Sequence, residues 1–248
     1  MIGSGGGFSR FLYYQTDQFT SADTTDRTDY NILTTHLLYE RNTLNRKQYA
    51  TAGTYFSMQA RFVQEEEFYE PGSTAIDAPF RGIHNWMQFR LRYDTYFKQR
   101  GKWRLGFYGE ALYSAQPFMH NYYSTMLSAP AFEPTPESQT YFIPEFHAYQ
   151  FAGMGLKSIF VLWKSIDLRF EGYVFSPYQK IIETPAHAAT YAAPLSISAI
   201  SYMGTSALVW NTPIGPASLS FNYYSPKKYP ISILFNFGYI IFNRRALD

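Results

Sequence analysis

The chain has 248 residues, a net charge of +2 and no cysteine, and 20% of its residues are aromatic although its mean hydropathy is only -0.27. The near balance of charge argues against nucleic-acid binding, and the lack of cysteine excludes disulfides and thiolate metal sites. No run of 18 apolar residues is present, so the sequence predicts no transmembrane helix, and the start MIGSGGGFSRFLYY has no signal-peptide pattern. Many aromatics at low mean hydropathy are typical of a membrane barrel with aromatic girdles and a polar lumen.

Apolar and polar side chains alternate with a period of two along most of the chain, which predicts strands rather than helices. Most of the segments have about 9–11 residues, the length that a tilted strand needs to cross a bilayer. The glycines at the start are expected to be flexible. Ten strands are predicted, at Gly7–Gln15, Tyr30–Glu40, Gln48–Val63, Asn85–Phe97, Arg104–Tyr113, Gln150–Leu162, Ile166–Val174, Ile200–Trp210, Ser218–Tyr223 and Ile231–Phe242.

The clearest alternation is in NWMQFRLRYDTYF, the fourth predicted strand. Phe89 and Leu91 belong to one face of this strand, and Arg90, Arg92 and Asp94 belong to the other. A soluble antiparallel sheet with one face on a core would suit this pattern. A membrane barrel strand, apolar toward lipid and polar toward a wet lumen, would suit it as well.

The lengths of the connections favour the membrane barrel. Tight connections are predicted at Arg41–Arg46, Lys98–Lys102, Trp163–Ser165 and Asn211–Gly215. They alternate with long ones at Thr16–Asp29, Gln64–His84, Ser114–Tyr149 and Pro177–Ala199, and with a modest one at Ser225–Pro230. Outer-membrane barrels have short periplasmic turns and long extracellular loops. The sequence therefore predicts an all-β fold, an antiparallel up-and-down transmembrane β-barrel, as one domain over residues 1–248.

The alternation assigns candidate residues to each side of the barrel wall. The predicted lumen-facing charges are Arg61, Arg90, Arg92, Asp94, Arg104, Glu110, Asp167, Arg169 and Glu171. The predicted lipid-facing residues are Phe89, Leu91, Leu105, Phe107, Leu168, Phe170, Phe235 and Phe237. The charges suit either a structural set of ion pairs or the selectivity lining of a solute path. The residues Trp86, Trp103, Trp163, Trp210 and Tyr239 are predicted to form interface girdles.

The C-terminal third resembles a known superfamily. SALVWNTPIGPASLSFNYYS and ISILFNFGYIIF are similar to the last three strands of BamA-like outer-membrane barrels, with Phe235, Phe237, Gly238 and Phe242 as the closing-strand signal. The ending FGYIIFNRRALD looks most like the barrel of Bacteroidetes-type patatin-like phospholipases. The close match covers about forty residues, and the order of strands and loops extends it loosely over the whole chain.

This resemblance implies a sixteen-stranded barrel that follows POTRA-type modules and a patatin hydrolase domain. The chain would then supply the last ten strands as a C-terminal fragment, and its two outermost strands are expected not to pair. The family's lumen-plugging V-R-G-F/Y motif is not matched at its usual place, where this chain has Phe146-His147-Ala148-Tyr149. A closer match, Phe80-Arg81-Gly82-Ile83, is one extracellular loop too early.

Catalytic and metal motifs are missing from the sequence. No G-x-S-x-G elbow is present, and the five histidines have no H-E-x-x-H or H-x-H spacing. The glutamates of EEEFYE are predicted to form a solvated strand extension. No cofactor is expected, and the chain itself is predicted not to be an enzyme.

The sequence favours three functions over a fourth alternative, a soluble β-protein. The first is an outer-membrane barrel segment that anchors or translocates a patatin-like phospholipase domain in a Gram-negative bacterium. The second is a BamA-like assembly or secretion pore, and the third is a small autonomous ten-stranded barrel. The expected partners are membrane lipid and the outer-membrane assembly machinery, with a homodimer as a further candidate and no nucleic acid.

Overall fold

A computed structural model describes residues 1–239 apart from 17, 226 and 228, and of residues 98–100 only the backbone. One α-helix, α1 (Tyr122–Ser128), lies in the connection between the fifth and sixth strands. No helix in the described part of the chain is long and apolar enough to span a membrane. The strands are β1 (Ile2–Tyr13), β2 (Asp26–Asn42), β3 (Thr54–Glu70), β4 (Phe80–Arg100), β5 (Trp103–Ser114), β6 (Gln150–Trp163), β7 (Ile166–Pro177), β8 (Ile181–Glu183), β9 (Ala189–Tyr191), β10 (Ser201–Thr212), β11 (Gly215–Tyr224) and β12 (Ile231–Phe237).

Ten of these strands form one antiparallel sheet in which each strand pairs with its neighbours in the chain, in the order β1 to β7 and then β10 to β12. The short strands β8 and β9 form a separate hairpin between β7 and β10. The predicted all-β, up-and-down antiparallel fold is therefore confirmed. Within the described residues β1 and β12 do not pair with each other, so no closed barrel is present there.

The sheet has two faces of opposite character. We call covered the face that carries Arg90 and Glu110, because two connections pack on it, and we call the opposite face open. The period-two alternation of strands places neighbouring residues on opposite faces, and burial alternates accordingly along β4 and β6. Large apolar side chains on the open face are exposed, including Leu33, Leu37, Met58, Phe62, Met87, Met154, Leu156, Leu208, Leu219, Phe221 and Ile233.

The predicted lipid-facing residues all lie on the open face. Phe89, Leu91 and Phe170 are exposed, as are Phe235 and Phe237, whereas the other three are partly buried. Those three are Leu105, Phe107 and Leu168.

The connection between β2 and β3 is longer than predicted. It covers residues 43–53 rather than Arg41–Arg46, so β3 begins at Thr54 and not at Gln48. Tyr49 has a φ of 54° and Gly53 a φ of 96°, and both values are incompatible with a continuing strand. A Cβ at Gly53 would lie 2.1 Å from the Thr43 carbonyl oxygen, so only glycine fits this turn.

Several strand ends also differ from the prediction. The glycine-rich start is not flexible but forms the first half of β1, since residues 2–7 pair with residues 32–37 of β2. The connection between β3 and β4 covers only residues 71–79. The last described strand ends at Phe237, because Gly238 has a φ of 88° and donates its N–H to the Pro216 carbonyl. Phe242 lies outside the described residues.

The contacts of Tyr49 show that the sheet is strongly curled. Tyr49 is five residues before β3, a backbone reach of at most about 18 Å. On a flat sheet the six strand spacings from β3 to β11 would measure about 29 Å. The Tyr49 hydroxyl nevertheless bonds the Ser218 hydroxyl of β11 at 3.0 Å, and the ring packs on Ala207 and Val209 of β10. The covered face is therefore the concave side of the sheet.

The 35-residue connection 115–149 packs on this concave side. An aromatic cluster joins Phe132 and Phe146 of the connection to Phe151, Tyr173 and Phe175 of the sheet. Within the connection, Asn121 and Ser124 cap the start of α1 reciprocally. The connection thus has a structure of its own and packs as a plug.

The prediction of an interface girdle is wrong for Trp86. Trp86 lies within β4 on the covered face and is buried among Tyr30, Val63 and Met119. Trp163 and Trp210 lie near strand ends on the open face and are exposed.

Candidate functional site

The ionic groups of β4 and β5 meet because of their register. Arg92 is directly opposite Glu110, and its Nε donates to Glu110 Oε1 at 3.1 Å. Tyr108 donates to the other carboxylate oxygen at 2.6 Å, and Arg90 Nε lies 3.6 Å from Oε1. Glu110 is fully buried, so its charge is balanced by two guanidinium groups rather than by water.

A second ion pair crosses β5 over a glycine. Lys157 of β6 donates to Asp94 Oδ2 of β4 at 2.8 Å. Gly106 is paired with Lys157 in the intervening strand and has no side chain to block this path. The ammonium group also lies 5.5 Å from the ring centroid of Tyr96 and 5.3 Å from that of Tyr108, within range of cation–π attraction.

The third ionic group joins the sheet to the connection 43–53. Arg169 of β7 donates to Glu171 at 2.8 Å and to the Ala50 carbonyl at 3.0 Å. Tyr173 donates to the second oxygen of Glu171. Both charged groups are almost fully buried, so Arg169 holds a loop and balances a carboxylate at once.

The other predicted charges have separate local partners. Arg61 is buried on β3 and donates weakly to Gln59, at 3.4 Å. Asp167 accepts from Arg46 of the connection 43–53 at 2.6 Å. Arg104 donates to the carbonyls of Gly101 and Trp103 at the adjacent turn. All nine predicted charges therefore lie on the covered face, but in several small groups rather than in one ladder.

A polar chamber of about 250 Å³ lies between the two connections. Its floor is formed by the pairs Asp94–Lys157 and Arg169–Glu171, and its walls by Tyr49 of one connection and Glu137 of the other. The Tyr49 hydroxyl donates to Glu137 Oε1 at 2.6 Å, so the two connections touch across the chamber. Burial raises the pKa of both side chains, and for Tyr49 the Glu137 carboxylate raises it further.

The raised pKa of Glu137 predicts a specific dependence of stability on pH. A carboxyl group whose folded pKa exceeds its ordinary 4.5 stabilises the fold below that pH and loses this contribution as pH rises through the folded pKa. Glu137→Gln stays neutral and keeps an acceptor for Tyr49. Its free energy of unfolding should therefore increase relative to the wild type as the pH rises above 4.5. Urea unfolding at several pH values measures this, and a pH-independent difference would contradict it.

Docking of the connection 115–149 depends on a glycine in β6. A Cβ at Gly153 would lie 2.2 Å from the ring of Phe132, which is 1% exposed. Gly153→Val should destabilise the protein by about 1–3 kcal/mol through overpacking and should make residues 115–149 sensitive to protease in detergent micelles. Gly172→Val is the control, because a Cβ there meets nothing within 4 Å. Equal protease resistance of the two variants would disprove this role of Gly153.

Several residues at the site were not singled out by the sequence. Lys157 is on the polar side of its strand pattern, but nothing local indicates its partner 63 residues away. Tyr49 falls in the predicted strand Gln48–Val63 but lies in a connection, since β3 begins only at Thr54, and Glu137 lies in a connection as well. The predicted solvation of EEEFYE is wrong for Glu65 and Glu67, which are fully buried on the covered face. Both Glu65 oxygens lack a hydrogen-bond partner, while Glu67 accepts from the backbone N–H of His120.

Neither a metal centre nor a nucleophile–base pair is formed at the chamber. Within the described residues no three His, Asp or Glu side chains are arranged to hold a metal ion. His84 bonds Glu67, and His147 bonds the Ala129 carbonyl. In comparisons with known proteins, no family model, no curated protein and no solved structure matches the chain.

Proposed function

We propose that this chain is a membrane-embedded β-sheet segment of the outer-membrane barrel type, which anchors its protein in the bilayer and is not itself catalytic. The observation that carries the proposal is the distribution of side chains between the two faces of the sheet, which is the reverse of that in a water-soluble protein. Exposed large apolar side chains lie on the open face of all ten strands of the sheet, and the ion pairs of that face, Arg10–Asp29 and Arg81–Glu66 among them, lie toward its long-loop end. The ionic groups around Glu110, Lys157 and Arg169 are buried on the covered face. An exposed apolar surface of this extent is unfavourable in water and favourable in lipid.

The positions of apolar and polar side chains along the strands of the open face support the same proposal. Along β4 the apolar set runs from Met87 to Phe97, eleven residues and hence about the span of a tilted strand in a bilayer. Toward the long-loop end, the open face of β2 to β4 carries Asn31, Gln64 and Asn85 instead. These polar residues would lie at the level of the lipid head groups.

The filled interior favours an anchor over an open pore. The connections 43–53 and 115–149 meet at the Tyr49–Glu137 hydrogen bond, beside the 250 Å³ chamber. A secretion pore of the BamA-like kind would need this contact to open. Within the described residues β1 and β12 do not pair with each other, which disfavours the small autonomous barrel, since unpaired backbone groups in lipid cost several kcal/mol each.

The finer assignment rests on the resemblance of the C-terminal third. It makes the chain the last ten strands of a sixteen-stranded barrel that carries a patatin-like phospholipase domain in the outer membrane of a Gram-negative bacterium. Its partners would be membrane lipid and the outer-membrane assembly machinery. A G-x-S-x-G elbow in a polypeptide fused to this segment, together with lipase activity absent from the segment alone, would support this assignment.

Tryptophan fluorescence in lipid tests the membrane proposal directly. Two variants would each retain one tryptophan, Trp210 or Trp86, with the other three replaced by phenylalanine. After reconstitution with brominated phospholipids, Trp210 on the open face should be strongly quenched, because lipid contacts it. Trp86 should keep its emission, since it is 4% exposed on the covered face.

Two results would refute the membrane proposal. One is equal emission of Trp210 in brominated and ordinary lipid, and the other is a protein that stays in solution when mixed with vesicles and floated on a density gradient. The anchor assignment makes a separate prediction, which is the absence of a large steady conductance in planar bilayers. A wild-type conductance as large as that of a variant lacking residues 120–147 would favour the pore instead.

A further inference from the structure

The polar chamber has more hydrogen-bond acceptors than its own donors satisfy. Asp94 uses Oδ2 for Lys157, but its Oδ1 is buried without a hydrogen-bond partner. Glu137 is 1% exposed, and its Oε1 accepts from the uncharged Tyr49 hydroxyl. A buried acceptor without a partner costs about 1–3 kcal/mol, and more when it is charged. A ligand would therefore gain the most binding free energy from hydrogen bonds to these two carboxylates.

The cationic groups on the floor of the chamber are already engaged. Arg169 donates to Glu171, to the Ala50 carbonyl and to the Tyr96 hydroxyl. Lys157 donates to Asp94 and is flanked by two tyrosine rings. An anionic ligand would have to break these contacts before it could bind.

The buried charges around the chamber also leave an excess of negative charge. Two buried bases, Lys157 and Arg169, face three acids, Asp94, Glu137 and Glu171. Lys47 also lines the chamber, but it is exposed, and solvent ions screen its charge. A ligand that brings one positive charge and several N–H donors would complete both the charge balance and the hydrogen bonds.

We propose that the chamber binds a small aliphatic ammonium compound, whose N–H groups donate to Asp94 Oδ1 and to the Glu137 carboxylate. The chamber volume corresponds to about eight water molecules at roughly 30 Å³ each, which is enough for a molecule of several heavy atoms. The Tyr49 and Tyr96 side chains supply the less polar part of the lining, against which the carbon chain would pack. This inference is independent of the membrane proposal, since it concerns only the interior.

Three probes that differ only in one end group test the proposal on the full chain refolded in detergent micelles. They are 4-amino-1-butanol, 1,4-butanediol and 4-hydroxybutyrate, which carry a positive, a neutral and a negative end. Saturation-transfer NMR and calorimetry should detect the amine with a dissociation constant on the order of 1 mM, the weak affinity of a small ligand. The diol should bind roughly 10-fold more weakly or worse, because it lacks a charge-assisted donor, and the anion should not bind.

Variants of the two acceptors locate the binding. Glu137→Gln and Asp94→Asn should each weaken amine binding by roughly 10-fold or more. Glu66→Gln is the matched control, because Glu66 is a carboxylate on the open face and pairs with Arg81. If Asp94→Asn fails to refold, Glu137→Gln alone decides, since it keeps the Tyr49 hydrogen bond.

Three outcomes would overturn the proposal. They are no binding of the amine by the wild type, equal binding of the amine and the diol, and unchanged amine affinity in Glu137→Gln. Loss of amine binding in Glu66→Gln as well would place the site elsewhere and would also overturn it.

Discussion

Arg169→Met is expected to lower the free energy of unfolding by about 3–5 kcal/mol, because it leaves the Glu171 carboxylate buried without its guanidinium partner. The substitution also removes the donor to the Ala50 carbonyl, so the connection 43–53 loses a contact with the sheet. Urea unfolding of the protein in micelles, followed by tryptophan fluorescence, measures the change.

The double variant Arg169→Met/Glu171→Gln provides the control. It removes both charges together and keeps an acceptor for the Tyr173 hydroxyl. When a buried pair is replaced as a unit, most of the penalty for an isolated charge disappears. We therefore expect the double variant to recover most of the lost stability. A double variant as unstable as the single one would mean that the guanidinium acts through its loop contact and not through charge balance.

Leu91→Arg is expected to destabilise the protein by about 2–4 kcal/mol in a lipid bilayer, the range for a cation near the midplane of a barrel wall. Leu91 is near the middle of β4 and 41% exposed on the open face. On a water-soluble protein the same change would remain within about 0.5 kcal/mol, as most surface substitutions do. The size of the effect therefore separates a lipid environment from an aqueous one.

Asn85→Arg is the control for this substitution, since it introduces the same charge on the same face of the same strand. Asn85 is six residues closer to the long-loop end and exposed beside Gln64. Near the interface an arginine costs about 0–1 kcal/mol. Folding titrations in vesicles compare the two variants, and equal effects at both positions would contradict a bilayer around the open face.

The faces of the strands were predictable because strand geometry is local. Met87, Phe89 and Leu91 alternate with Arg90 and Arg92, and a period of two places them on opposite faces whatever the rest of the fold does. The up-and-down order followed from short connections such as residues 101–102 and 213–214, which join only adjacent antiparallel strands. For both features the deciding residues are neighbours in the chain.

Predictions at strand ends and within connections were less accurate. The segment from Gln48 to Gly53 has alternating apolar residues but is held out of the sheet, because Tyr49 is bonded to Ser218 at a distance of 169 residues along the chain. From composition alone, Glu65 and Glu67 were predicted to be solvated. Both are buried on the covered face, and the connection 115–149 contacts Glu67 there through the backbone N–H of His120.

The sequence by itself determined the all-β class, the number of strands in the sheet, the side of each strand that is apolar and the place of the turns with glycine or proline. Only the tertiary structure decided which charges pair, that two connections fill the concave side, and that a polar chamber remains between Tyr49 and Glu137. The physical reason is the separation along the chain between the residues that interact. Alternation and turn chemistry depend on residues a few positions apart, whereas Asp94 meets Lys157, and Arg46 meets Asp167, only after the sheet has curled.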